Sequence, residues 1–172
     1  MKKKSLSVKK ISHNLILKHL KNKDFLKIFK EFKKTIDVKN TYAAAISGGP
    51  DSLALAYFCK CFSIIYNTKI QYYLVDHQLR KESTREAKQV LQVLKKFKIN
   101  CKILTWKGKK PKSNIQSIAR KKRYSLLFDQ AKNFKIKNIL LGHHLGDLYE
   151  NFFIRLLRGS GLKGIVSLDK KT

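Results

Sequence analysis

Residues 47–52 read Ser-Gly-Gly-Pro-Asp-Ser and follow a short apolar run from Tyr42 to Ile46. A strand that breaks into two glycines and restarts as a helix is suited to holding an anion. Gly48 and Gly49 can take backbone angles closed to other residues, which lets their N–H groups turn inward. A helix beginning near Asp51 adds its unpaired N–H groups and the positive end of its dipole. No Lys-Ser or Lys-Thr follows the glycines, so this is not a Walker A loop. Phosphate is the expected ligand, with Ser47, Gly48, Gly49, Pro50, Asp51 and Ser52 around it. The plainer alternative for Asp51 is a helix N-cap, worth about 1 kcal/mol, and the flanking glycines and serines favour the phosphate site over it.

Other segments carry residues with chemistry. Asp76-His77-Gln78-Leu79-Arg80 places an acid, an imidazole and a guanidinium in one short stretch. Asn114 to Tyr124 joins a cap-like Asn to a basic helix, with Arg120 and Arg123 three apart on one face. These two could grip phosphates or simply form a solvated face. Farther on stand His143-His144-x-x-Asp147-x-x-Glu150 and Arg158-Gly159-Ser160-Gly161. The His pair does not have H-E-x-x-H spacing, and no third nitrogen or sulfur ligand stands out, which argues against zinc. Hydrogen bonding to a nucleotide is the better role for His144. A nucleoside phosphate arrives with Mg²⁺, which binds one or two carboxylates plus phosphate oxygens. Asp51 and Asp147 are the candidates. Gly159 and Gly161 fit a left-handed helix C-cap, or a mobile segment that carries Arg158 over a substrate.

These residues need elements to position them. Residues 13–36 show apolar positions close to helical spacing. From residue 41 the pattern alternates, with strands expected at 41–46, 70–75, 101–105 and 138–142. Helices are expected at 52–66, 83–97, 115–134 and 147–157. Four βα units in sequence predict an α/β fold, a parallel twisted sheet with helices on both faces. Ligands of such sheets bind at the carboxyl ends of the strands. Asp51, Asp76, Asp147 and Glu150 all fall at or just past those ends, in a chain with only 11 acidic residues.

The chain of 172 residues is long enough for one domain with a core. Residues 1–12 read as a basic tail and 13–172 as the domain. Lys and Arg number 39, for a formal charge of +28, which implies a polyanionic partner unless it reflects compositional drift. Only six of the basic residues are Arg. Their sparing use suggests bidentate contacts to phosphate or carboxylate at some of them. Three cysteines without a C-x-x-C pair read as reduced thiols of a cytoplasmic protein. No run of 18 apolar residues suggests a membrane span. The Met-Lys-Lys-Lys start has no apolar stretch behind it, so it is not read as a signal peptide.

The loop at 47–52 resembles that of the PP-loop ATPases, which split ATP between the α- and β-phosphates. Taken with Asp76-His77-x-Leu79-Arg80, Ala119-Arg120-x-x-Arg123-Tyr124, His143-His144-x-x-Asp147-x-x-Glu150 and Arg158-Gly159-Ser160-Gly161-Leu162-x-Gly164, it resembles the N-terminal domain of the tRNA(Ile)-lysidine synthase family. The motifs follow the family's order over residues 42–168. The resemblance implies a Rossmann-like sheet that lacks its last strand, because family members continue past the position of Thr172. It implies an ATP-dependent ligase that joins free L-lysine to the wobble cytidine of tRNA(Ile) with a CAU anticodon, through an adenylated tRNA. Asp51, Asp147 and Arg120 would be catalytic, and Asp51 and Asp147 would hold Mg²⁺. Ser47 to Ser52, Asp76, His77 and His144 would hold ATP. Arg80, Arg123, Glu150 and Arg158 would meet tRNA or lysine. Gly146, Leu148 and Asn151 depart from the family's His-His-x-Asp-Asp-Gln-x-Glu-Thr pattern. A truncated nucleotide- or tRNA-binding module, or a PP-loop thiolation enzyme, are the alternatives, and a homodimer stays open.

Overall fold

The computed structural model describes residues 13–142. Four strands form one parallel sheet: β1 (Tyr42–Ile46), β2 (Ile70–Asp76), β3 (Cys101–Thr105) and β4 (Asn138–Leu141). Their order is β3-β2-β1-β4. The register sets Ala44 beside Tyr72 and Leu140, and Asp76 beside Thr105. Four helices accompany them: α1 (Lys23–Lys34), α2 (Pro50–Tyr66), α3 (Ser83–Lys96) and α4 (Ile115–Asn133). The expected α/β architecture is therefore present, with element ends within two residues of expectation. The helix expected at 147–157 lies outside the described residues.

Residues 13–36, whose apolar positions are close to helical spacing, are helical with a break. Residues 13–17 are helical and tighten into a 3-10 turn at Lys18–Lys21. Asn22 then restarts the chain as α1. Its backbone is extended and its side-chain oxygen accepts the N–H groups of Asp24 and Phe25, at 2.8 and 3.2 Å. An Asn that captures two first-turn donors favours a cap over continuation.

Strand alternation divides the core between the two faces. Ala44, Ile46, Tyr72 and Leu74 pack under Ala56 and Cys59 of α2 and Ala87 and Leu94 of α3. Ala43, Tyr73 and Leu104 face the other way, onto Leu127 and Ala131 of α4. A third cluster joins α1 to the outer side of α2 through Phe29, Phe58 and Phe62. The three alanines of β1 are small, and Ala43 and Ala44 have no exposed surface. Small residues in an inner strand let helices close down on both faces. No helix among the described residues is long and apolar enough to cross a membrane.

The order β3-β2-β1-β4 means the chain steps outward twice and then returns to the far side of β1. The crevice for a ligand in such a sheet opens where the order reverses, at the carboxyl ends of β1 and β4.

Neighbouring residues of α4 test this packing. Leu127 is 1% exposed and Phe128 56%. Leu127→Ala should lower stability by about 2–5 kcal/mol in a chemical or thermal melt. Phe128→Ala should change it by about 1 kcal/mol or less. Equal losses would mean that α4 meets the sheet by another face.

Candidate nucleotide site at the strand ends

The loop after β1 is organised by one hydroxyl. Ser52 is 3% exposed, and its Oγ accepts the N–H groups of Ser47 and Gly48 at 3.2 and 3.1 Å. The same hydroxyl donates to the Gly49 carbonyl at 2.9 Å. The Ser47 and Gly48 N–H groups thus converge on Ser52 within the loop. Gly48 has φ +93°, and a Cβ there would lie 2.8 Å from Val90 Cγ2 of α3. Glycine is required at this position by conformation and by space. A Cβ at Gly49 would meet only the Ser47 hydroxyl, at 3.8 Å, so the loop surface is open there.

Helix α2 starts one turn-position earlier than the sequence suggested. Gly49 is the N-cap, Pro50 opens the helix, and Asp51 sits in the first turn, exposed to solvent. Asp51 is therefore not the N-cap. No side chain caps α2 at Gly49. Its first-turn donors and dipole end are presented beside an open glycine surface.

Gly142, just past β4, closes the site from the other side. A Cβ there would fall 2.7 Å from Ser52 Cα and 2.8 Å from Ser52 N. Backbone meets backbone at this point, and only glycine permits it. Sequence reading took Gly142 as part of a strand end and gave it no role. A glycine between an apolar strand and a polar motif is the signal that marks it.

The loop after β2 forms the second wall. Asp76 is 3% exposed, and both carboxylate oxygens are engaged. One accepts the Gln78 N–H at 2.9 Å and the other the Thr84 hydroxyl at 2.7 Å. Asp76 thereby shapes the turn, in which Gln78 has φ +51°. The Arg80 guanidinium pairs with Glu86 at 2.7 Å on the surface, a contact worth about 0–1 kcal/mol. Ser47, Asp76, His77, Arg80, Glu86 and Val90 line a cleft of about 220 Å³ between this loop, the glycine loop and α3.

His77 links that wall to β3 and α4. Its ring meets Trp106 edge-on, with centroids 6.1 Å apart, and its buried Nδ1 has no hydrogen-bond partner. Burial pulls the imidazole below the usual histidine range, and the nearby Arg123 and Lys110 cations add to this against the Asp76 carboxylate. The neutral imidazole is favoured, with one ring nitrogen to donate and the other to accept a hydrogen bond. Lys110 lies 4.5 Å above the Trp106 ring and donates to the Trp106 carbonyl. Neither residue was singled out from the sequence.

Arg120 and Arg123 stand on α4 with their guanidinium carbons 5.5 and 5.7 Å from the Tyr124 ring centre. Asn114 occupies the N-cap of α4 but makes no side-chain cap bond, with φ +50°. The structure thus brings Ser47, Asp76, His77 and Arg80 to one cleft, with Gly48 to Ser52 continuing from its edge into α2, and sets Arg123 near His77. His144, Asp147, Glu150 and Arg158 lie outside the described residues. No group of three or more His, Cys, Asp or Glu side chains among the described residues could hold a metal ion.

A family model described as the PP-loop domain matches residues 17–172. The chain is 44% identical over 125 residues to the tRNA(Ile)-lysidine synthase of Orientia tsutsugamushi (strain Boryong), covering 73% of this chain and 28% of that protein. It is 39% identical over 135 residues to the tRNA(Ile)-lysidine synthase of Wolbachia pipientis wMel, covering 77% of this chain and 31% of the relative. The chain spans only about a third of the length of such relatives. Among solved structures, the U34-tRNA thiolase NcsA from Methanococcus maripaludis with its [4Fe-4S] cluster superposes with a TM-score of 0.67 at 22% identity, over 83% of this chain and 53% of that one. That likeness carries the fold alone. With a glycine loop set at the sheet's switch point and a family match over nearly the whole sequence, the chain belongs to the PP-loop family.

Proposed function

We propose that this chain is the nucleotide-binding part of an ATP-dependent ligase that modifies tRNA(Ile), joining free L-lysine to the wobble cytidine of the CAU anticodon. The observation that carries this is the open surface at Gly49, in a loop shaped by Gly48, beside a start of α2 that no side chain caps. Its lysidine assignment rests on the named relatives and the five sequence motifs. In the reaction, the cytidine displaces pyrophosphate from the α-phosphate of ATP, and the lysine amine then displaces AMP.

The residues suit this chemistry. Glycine backbone without side chains allows the triphosphate to approach the α2 terminus, where the dipole favours negative charge. Asp51, exposed in the first turn of α2, and Asp147 would hold Mg²⁺, since one or two carboxylates plus phosphate oxygens suffice. When bound, that ion would offset the charge growing on the leaving pyrophosphate. Neutral His77 would hydrogen-bond the nucleotide through its unpartnered Nδ1. Arg123 beside it would meet phosphate, as would Arg80 once freed from Glu86. Arg120 would steady the reacting phosphate, and His144, Glu150 and Arg158 keep the nucleotide, lysine and tRNA roles expected from the motifs. The formal charge of +28 suits tRNA.

Thiolation is less well supported. Cys59 and Cys61 are buried in α2, and Cys101 starts β3, at the end of the sheet away from the glycine loop. Burial pushes the Cys59 and Cys101 thiols up to about 12. A thiol held protonated is a poor nucleophile and metal ligand.

Two measurements test the reading. Gly48→Ala forces a side chain into positive φ and against Val90, so titration calorimetry with ATP-Mg²⁺ should show at least about tenfold weaker binding, a loss of about 1.4 kcal/mol. Unchanged affinity would remove the glycine loop from the site. Labelled lysine, ATP-Mg²⁺ and a tRNA(Ile) transcript should give label in the RNA that disappears with Asp51→Ala. Tight tRNA binding without label, in the chain extended to the length of its relatives, would count against the ligase.

A further inference from the structure

Helix α4 carries two aromatic residues, Tyr124 and Phe128, to which the nucleotide site gives no role. They continue the line of Arg120 at every fourth position along the helix. The Tyr124 and Phe128 rings are close to parallel, 24° apart, with centroids at 6.1 Å. The guanidinium carbons of Arg120 and Arg123 lie 5.5 and 5.7 Å from the Tyr124 ring centre. Phe128 is 56% exposed, whereas its neighbour Leu127 is 1% exposed and faces the sheet. A single exposed Phe is ordinary. One that extends a half-buried Tyr flanked by two arginines makes a flat surface ringed by cations.

The surroundings indicate what such a surface would take. The sequence of α4 holds Arg120, Lys121, Lys122, Arg123 and Lys132 against a single acid, Asp129. Asp129 sits on the next stripe, where the Ser125 hydroxyl approaches it at 3.5 Å. An apolar protein partner would meet unneutralised cations here, whereas a nucleic acid satisfies both features. Its phosphates pair with the arginines, and any unstacked base can lie on an aromatic face. From Arg120 to Phe128 the stripe runs about 12 Å along the helix, enough for two nucleotides. Arg123, which flanks Tyr124, is also one of the cations acting on His77, so this part of the helix adjoins the nucleotide crevice.

We propose that the Arg120–Tyr124–Phe128 face of α4 is a stacking platform for single-stranded RNA, with Phe128 as its outer step. This rests on the RNA substrate proposed above and adds where and how the strand is held. Base stacking on Phe128 supplies an affinity that does not depend on salt, and Arg120 supplies a part that does.

The test is fluorescence anisotropy of the full chain with a short labelled single-stranded RNA and with a duplex of the same length, each over a salt series. Phe128→Ala should weaken single-strand binding about 5- to 150-fold and leave the salt slope unchanged. Phe128→Tyr should bind like the original chain, and Phe128→Leu should not. Arg120→Ala should lower the salt slope by about one. Duplex binding should respond little to any change at Phe128. Thermal melts and ATP-Mg²⁺ affinity of the Phe128 variants should match the parent, separating this face from the nucleotide site. Equal RNA affinity across all Phe128 variants would overturn the platform while leaving an RNA substrate standing. Absence of any RNA binding by the parent chain would overturn both. Sedimentation showing a dimer that Phe128→Ala splits, with RNA affinity unchanged, would make the face a contact between copies and overturn the proposal as well.

Discussion

The strand ends depend on how closely the main chain can approach itself around Ser52. Its hydroxyl ties the exit of β1 to the first turn of α2 by accepting two N–H groups and donating to one carbonyl. Gly142 then brings the exit of β4 against the same residue, with no room for a single added carbon. Two adjacent strands and a helix terminus are thereby held within one small volume. An oxygen left without these partners in a site 3% exposed would cost about 1–3 kcal/mol. The glycine loop has its shape because Ser52 is satisfied in this way.

That closeness is prepared one layer below. Alanines in β1 keep both faces of the inner strand thin, so α2 and α4 can sit near the sheet from opposite sides. The bulk lies in the neighbours, with Tyr72, Leu74 and Tyr73 filling the space from β2. The second wall is held by the same means. Asp76 uses both carboxylate oxygens on the turn that follows it, and its carbonyl accepts the Trp106 N–H from the end of β3 at 2.9 Å. A buried carboxylate with both oxygens hydrogen-bonded fastens the turn that carries His77 and Arg80.

Charge is distributed in keeping with this plan. Among the described residues, Asp76 is engaged in the scaffold and Glu86 is paired with Arg80 on the surface. Beside that loop, the Arg123 and Lys110 cations act on His77.

Much of the architecture was legible in the residue order. Alternating apolar runs and Gly-Gly, placed after a short strand, determined the α/β class, the parallel strands and the location of the phosphate-type loop, because these are local consequences of backbone geometry. The Asn22 break in the first helix was set by a side-chain cap, and the start of α2 at Gly49–Pro50 by a proline suited to a helix's first position, neither of which periodicity registers. Only the tertiary structure decided that Asp76 serves the turn, that Val90 sits beneath Gly48, that Gly142 touches Ser52 and that Trp106 and Lys110 flank His77. All but the Asp76 turn join residues far apart in the chain, brought together by the crossovers between parallel strands. Local sequence specifies which conformations a segment prefers, but which segments meet is settled by how the whole sheet buries its two faces.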